Sequence, residues 1–235
     1  MPPAIQCEAM AEDALLLRFG DTIDLAINAR VHAAASHLRQ RWPELECVPA
    51  YASLLLRFDP NEWSSTSGRT PHQRLGDVVQ DALNNLSTES VDTRLVDIPV
   101  HYGDTDGPDL VEVAAITELS IDEVIARHCA TEYRVAMLGF APGFPYLLGL
   151  DPALAVPRRT DPRQRVPAGS VAIGGSQTGI YPNELPGGWQ LIGRTPQRLF
   201  DVTADTPSLL AAGDRVRFHA IDEATFQQLA ATKSR

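Results

Sequence analysis

Between Arg165 and Pro196 the sequence reads RVPAGSVAIGGSQTGIYPNELPGGWQLIGRTP, a stretch crowded with glycine and proline that still carries polar and aromatic side chains in order. Glycine lets a backbone approach a ligand closely, and amide, hydroxyl and guanidinium groups fix the orientation of a small polar molecule. Gln177, Thr178, Tyr181, Trp189 and Arg194 are therefore candidate ligand contacts, with Gln177, Tyr181 and Arg194 the stronger ones. The backbone amides around Gly174, Gly175 and Gly179 are candidate donors. A structural reading competes, in which Pro182, Pro186, Gly187 and Gly188 only turn corners. GGSQTG is not a G-x-S-x-G nucleophile elbow, because Thr178 stands where that pattern needs glycine. With no H-E-x-x-H and no clustered histidines and carboxylates, no protein-bound metal is expected.

The basic residues narrow the chemistry further. All but one of the twenty are arginine, and the single lysine is Lys233. The body of the chain therefore offers no lysine nucleophile, no phosphate-loop lysine and no residue to carry biotin or a Schiff base. Seven arginines (134, 158, 159, 163, 165, 194, 198) lie between Arg134 and Arg198 against Asp151, Asp161 and Glu184, a local charge of +4 in a chain of -10. Arginine without matching carboxylates is expected where a carboxylate or phosphate is held, since the guanidinium fork binds both bidentately. Solvated surface charge is the alternative for any one of them.

Elements must position these groups. A strand over Ala14–Phe19 leads to a helix over about Asp24–Arg41, with Ile27, Val31, Ala35 and Leu38 on one face and Pro43 beyond its end. Strands follow over Glu46–Tyr51 and Ser53–Phe58. Thr70, Pro71 and Gln73 then make a capping box with proline at the first helical position, opening a helix to about Leu86. A strand over Thr93–Val100 completes a β-α-β-β-α-β order, the ferredoxin-like arrangement, and residues 1–92 are assigned to a small α+β domain. His32 and His37, five apart, do not share a helix face as a metal pair would. Residues 93–235 form the second domain. Helices are expected over Asp109–Thr117 and Ser120–Thr131, the second opened by a Ser120–Glu123 capping box. Short β-prone runs follow at Tyr133–Phe140, Gly169–Gly174, Trp189–Gly193, Leu199–Thr203 and Arg215–Ala220, which read as an all-β sandwich or a closed barrel.

Composition excludes several classes of partner. At 235 residues and 44% hydrophobic content the chain can build one large core or two small ones. A net charge of -10 argues against nucleic acid and anionic membranes, leaving small molecules or proteins. No apolar run reaches the ~20 residues of a membrane span, and the first residues lack a signal-peptide pattern, so a cytoplasmic location is expected. Cys7, Cys47 and Cys129 fit neither a disulfide framework nor a zinc site and are expected as free, buried thiols.

Three longer runs carry a resemblance. IPVHYGDTDGPDL, YRVAMLGFAPGFPYLLGLD and PRRTDPRQRVPAGSVAIGGSQTGIYPNELPGGWQLIGRTP are similar to the bacterial 5-oxoprolinase B-subunit family. That family is also called kinase-inhibitor-I-like or allophanate hydrolase subunit 1, and is related to part of a carboxyltransferase domain. The likeness runs over essentially the whole chain, with departures at His101 and Ser176. It implies a small α+β domain followed by a cyclophilin-like β-barrel. It also implies a role in ATP-dependent opening of 5-oxo-L-proline to L-glutamate, together with two partners, the A and C subunits of the same enzyme. ATP, with or without magnesium, is shared with those partners on this reading. Phe144, in the second run, joins Arg165, Gln177, Thr178, Tyr181, Trp189 and Arg194 as an expected substrate contact. No general base is evident, so the complete site is expected to be shared and the chain alone to be inactive. Two other roles remain open: a carboxyltransferase-like component of a biotin-dependent system, and an inhibitor of a sensor histidine kinase.

Overall fold

The computed structural model describes residues 5–64, 68–84 and 93–232, and the chain divides into two units, Met1–Asp92 and Thr93–Arg235. The helix end expected at Leu86, and Lys233, lie outside the described residues. In the first unit the order is β1 (Gln6–Ala11), β2 (Ala14–Arg18), α1 (Leu25–Arg41), β3 (Glu46–Pro49), β4 (Ser53–Arg57) and α2 (Pro71–Leu83). The four strands form one antiparallel sheet in the order β1-β2-β4-β3. Alternation along β2 and β4 turns Leu15, Leu17, Leu54 and Leu56 toward Val31, Ala35 and Leu38 of α1 and Leu75 and Val79 of α2. Asp24 caps α1 by accepting from the Ala26 and Ile27 amides, and the Thr70–Gln73 capping box opens α2.

The β-α-β-β-α-β order is not what this unit adopts. The sheet position beside β2, which a strand after α2 would fill in a ferredoxin-like sheet, is taken by β1 from the start of the chain. The strand expected at Thr93–Val100 runs over Leu95–Tyr102 and belongs to the second unit. β1 is exposed along nearly all its length and shows no apolar alternation, so its sequence gives no strand signal.

The second unit contains β5 (Leu95–Tyr102), α3 (Leu110–Thr117), α4 (Ile121–Ala130), β6 (Glu132–Leu138), β7 (Pro145–Leu148), β8 (Arg163–Val166), β9 (Ser170–Gly174), β10 (Gln177–Ile180), β11 (Leu185–Gly187), β12 (Gln190–Arg194), β13 (Arg215–Ala220) and α5 (Glu223–Thr232). Seven strands close into a barrel in the order β10-β7-β6-β13-β5-β12-β9, and β8 with β11 forms a separate two-stranded flap. Between the sandwich and the barrel, the chain adopts the barrel. The strand expected over Leu199–Thr203 is irregular, with a single bridge from Phe200 to Ser208. Ile98, Val100, Val135, Leu147, Val171, Ile173, Ile180, Ile192 and Phe218 fill the interior, continuous with Leu110 and Val113 of α3 and Val124 of α4. No helix among the described residues is long and apolar enough to cross a membrane.

Candidate functional site

Strand alternation splits the expected ligand contacts between two faces of the barrel wall. On β10, Thr178 and Ile180 point inward while Gly179, and Tyr181 just after the strand, point outward. Inward, Thr178 Oγ1 donates to Ala172 O at 2.9 Å and lies 3.1 Å from His128 Nε2. Because that hydroxyl proton is committed, the imidazole must donate from Nε2, which leaves Nδ1 to accept from the Tyr102 hydroxyl at 2.7 Å. Cys129 Sγ in turn lies 3.5 Å from the Tyr102 oxygen. The His128 ring stacks on Phe218 with centroids 4.5 Å apart, and burial lowers its pKa to about 3. Thr178 is thus an anchor of a neutral polar chain in the core and has no access to a ligand.

Outward, the glycines serve a steric purpose. A Cβ on Gly174 would stand 2.6 Å from the Trp189 ring, and one on Gly179 would meet Pro145 O at 2.9 Å and Trp189 at 3.1 Å. Trp189 therefore lies flat against two residues that have no side chain. Gly175, with φ +65°, turns between β9 and β10, and its N–H donates to Val156 O at 2.8 Å. The expectation of free backbone donors is thereby corrected: these glycines seat an aromatic ring and turn the chain. Phe144 packs edge-on to Tyr181 (5.2 Å) and Trp189 (5.8 Å) and touches Tyr146 (5.0 Å). Burial raises the Tyr181 phenol pKa, an effect partly offset by the backbone of Trp189. With Val166, Ala172 and Leu191, this cluster forms a second core on the outside of the barrel.

The flap roofs that cluster incompletely and leaves a cavity of about 330 Å³. Its walls are Phe140, Phe144, Tyr146, Tyr181 and Trp189, with Arg158 and Arg159 at one side and Pro186, Gly187 and Gly188 on the flap. Gly187 is required there, since a Cβ would fall 2.1 Å from the Tyr181 hydroxyl. Arg158 is exposed, stands 5.7 Å from the Trp189 ring, and makes no ion pair with the described residues. Arg159 Nε is buried and has no hydrogen-bond partner among the described residues. A buried donor left unpaired is uncommon, because it forfeits about 1–3 kcal/mol of hydration, and here it belongs to a residue lining a cavity.

Arg159, Arg163, Arg165 and Arg194 are answered by carboxylates remote in sequence, and Arg198 by Asp201 three residues on. The loop 103–109 folds against β12, with Gly103 N–H donating to Ile192 O and Asp109 N–H to Leu191 O. Asp109 is almost wholly buried and accepts from Arg159 (3.1 Å), from both Arg163 terminal nitrogens (2.8 and 2.7 Å) and from Leu191 N–H (2.7 Å). Asp106 of the same loop accepts from His101 Nδ1 at 2.9 Å and lies 3.8 Å from Arg194. A bulge between Leu191 and Gly193 turns Arg194 outward beside His101, where Phe226 of α5 covers both. Arg165 is largely exposed on β8 and pairs with Glu184 at 3.6 Å.

Of the expected contacts, then, Phe144, Tyr181 and Trp189 come together in one cavity. Arg194 sits at the far end of β12, Arg165 on the outer flap, Gln177 at the start of β10 and Thr178 inside the barrel. Sequence reasoning missed Phe140, Tyr146 and the ion-pairing role of Asp106 and Asp109, and it named Arg158 and Arg159 only as members of the run of seven arginines. The signal for the aspartates was the GDTDGPD run, dense in acids and turn formers.

Comparison with known proteins agrees with this architecture. A family model described as the carboxyltransferase domain, subdomain C and D, matches residues 5–210. A Bacillus subtilis protein that carries the name of the 5-oxoprolinase B subunit is 45% identical over 224 residues, covering 93% of each chain. The chain belongs to the 5-oxoprolinase B-subunit family. The Escherichia coli O157:H7 member is 41% identical over 91% of this chain and 94% of its own. Among solved structures, TTHA0988 matches with 43% identity and a TM-score of 0.75 over 89% of this chain, which spans only 40% of that longer protein. Kluyveromyces lactis urea amidolyase, at 21% identity and a TM-score of 0.72 over 97% of this chain and 15% of its own, shares the fold.

Proposed function

We propose that this chain is the B subunit of a cytoplasmic ATP-dependent 5-oxoprolinase, which opens 5-oxo-L-proline to L-glutamate together with its A and C subunits. What supports the activity is the name shared by family members at 41–51% identity. What supports the place is the aromatic cavity with the exposed Arg158 at one side. A small lactam ring fits against Phe144, Tyr146 and Trp189. Arg158 meets its carboxylate, beside Arg159, which Asp109 holds in place. Among the described residues, no carboxylate or histidine lines this cavity. The proton-transfer group, the nucleotide and any magnesium are therefore assigned to the assembled complex.

Titration of 5-oxo-L-proline onto the chain, followed by ligand-observed NMR, tests the placement. Saturation transfer is expected to the ring protons and to vanish in Arg158→Ala, while the uncharged carboxamide of the same lactam binds roughly tenfold more weakly, about 1.4 kcal/mol. Equal binding of acid and carboxamide would remove Arg158 from the carboxylate.

The family model and the urea amidolyase fold favour one second reading, a carboxyltransferase component acting on biotin carried elsewhere. It predicts that biotin displaces the lactam and that turnover by this chain and its partners depends on biotin.

A further inference from the structure

Phe140 is unlike the other aromatics of the cavity. It is 61% exposed, and its ring neighbour among the described residues is Phe144, edge-on at 5.5 Å. Its backbone is left-handed (φ +68°), a conformation that glycine adopts freely and a bulky residue does not. The turn that carries it is fixed at the base: Gly139 N–H donates to Phe144 O and Phe144 N–H to Ala141 O. Gly143 (φ +80°) is pressed so close to Phe200 that a Cβ there would fall 2.8 Å from the Phe200 Cβ. A rigid turn thus holds one strained residue at its tip, and the exposed ring contributes little to packing. Phe140 lines the aromatic cavity and also, with the rest of residues 138–143, a second, more open hollow of about 360 Å³.

We propose that Phe140 is the size-selecting gate of the aromatic cavity. With its ring at the mouth, the cavity admits a small ring. Rotation about χ1 carries the ring into the hollow over 138–143 without moving the turn, a nanosecond side-chain event that opens the mouth. The strained backbone is retained because it projects the side chain between the two spaces, where a glycine at this position would leave the mouth open. The gate rests on the cavity being a ligand site, but not on the ligand being a lactam.

The experiment separates those two claims by using a probe too large for the closed mouth. 8-Anilinonaphthalene-1-sulfonate pairs aromatic rings with an anion that suits Arg158. Its fluorescence is titrated on the full chain, on Phe140→Gly and Phe140→Ala, which remove the ring with and without relief of the backbone, and on Phe140→Leu, which keeps the bulk. The gate predicts roughly tenfold tighter binding in the Gly and Ala variants, with thermal unfolding unchanged in the Ala variant and raised in the Gly variant, parent-like binding in the Leu variant, and loss of the gain when Arg158→Ala is added. Parent-like binding in the Gly and Ala variants, or a gain that survives Arg158→Ala, overturns it. Competition by 5-oxo-L-proline then reports on the lactam: if the gain depends on Arg158 but the lactam does not compete, the gate stands and the oxoprolinase assignment of this cavity fails.

Discussion

Arg158 and Arg163 are five residues apart and serve opposite ends. Arg163 is held by both oxygens of the buried Asp109, together with Arg159 and the Leu191 amide, whereas Arg158 keeps an unpaired charge at the cavity mouth. Asp109→Ala would leave two guanidinium groups and a buried N–H without their acceptor, and a loss of about 3–5 kcal/mol is expected in denaturant unfolding of the chain. Arg158→Ala should leave unfolding unchanged and abolish lactam binding. Local charge counting could not tell the two apart, because Asp109 lies about fifty residues upstream and enters only through the fold. His128 carries a second residue-scale prediction. Its pKa is lowered from 6.5 to about 3 by burial, so the unfolded chain binds a proton that the folded chain refuses. This contribution to stability is complete above pH 6.5 and falls by up to about 1.4 kcal/mol per pH unit from there toward pH 3. Nitrogen chemical shifts of the ring should show a neutral imidazole protonated on Nε2 at about pH 5, midway between the two pKa values. An imidazolium under those conditions would contradict the Tyr102–His128–Thr178 hydrogen-bond chain.

At the scale of elements, the sequence was most legible where local chemistry decides. The capping boxes at Thr70 and Ser120 open α2 and α4 as expected, and Leu15, Leu17, Leu54 and Leu56 show their alternation plainly. β1, β7, β10 and the β8–β11 flap were not legible, because β1 is exposed without apolar alternation and the others are only three or four residues long, so they are defined by their partners in the sheet and not by periodicity. The glycines of GGSQTG were visible as a constraint, yet their purpose depends on a tryptophan from beyond the hairpin. Gly174→Ala tests that purpose. The methyl group would overlap the Trp189 ring, so a destabilisation of about 1–3 kcal/mol is expected in thermal or denaturant unfolding, with loss of the cavity's lactam affinity. Gly187→Ala, on the flap, meets the Tyr181 hydroxyl and should impair binding more than stability.

For the whole molecule, the cavity and its partners pose one question. The barrel provides an aromatic pocket with Arg158 at its side, and among the described residues Arg158 has no ion pair and no carboxylate or histidine lines the pocket. On the proposed reading, a chain built this way holds a lactam and does not by itself hydrolyse one. The family likeness was readable from GFAPGFPYLLGLD and GGSQTGIYPNELPGGWQLIGRTP, while the division of labour among subunits is set by surfaces that one sequence does not reveal. Reconstitution tests that division most directly: the chain is combined with the A and C subunits proposed for it, supplied with 5-oxo-L-proline and ATP, and glutamate and phosphate are measured together, with the chain present, omitted, or replaced by Arg158→Ala. Coupled release of both products is expected with the intact chain, and its loss in the other two mixtures; undiminished glutamate release without the chain would contradict its place in the enzyme.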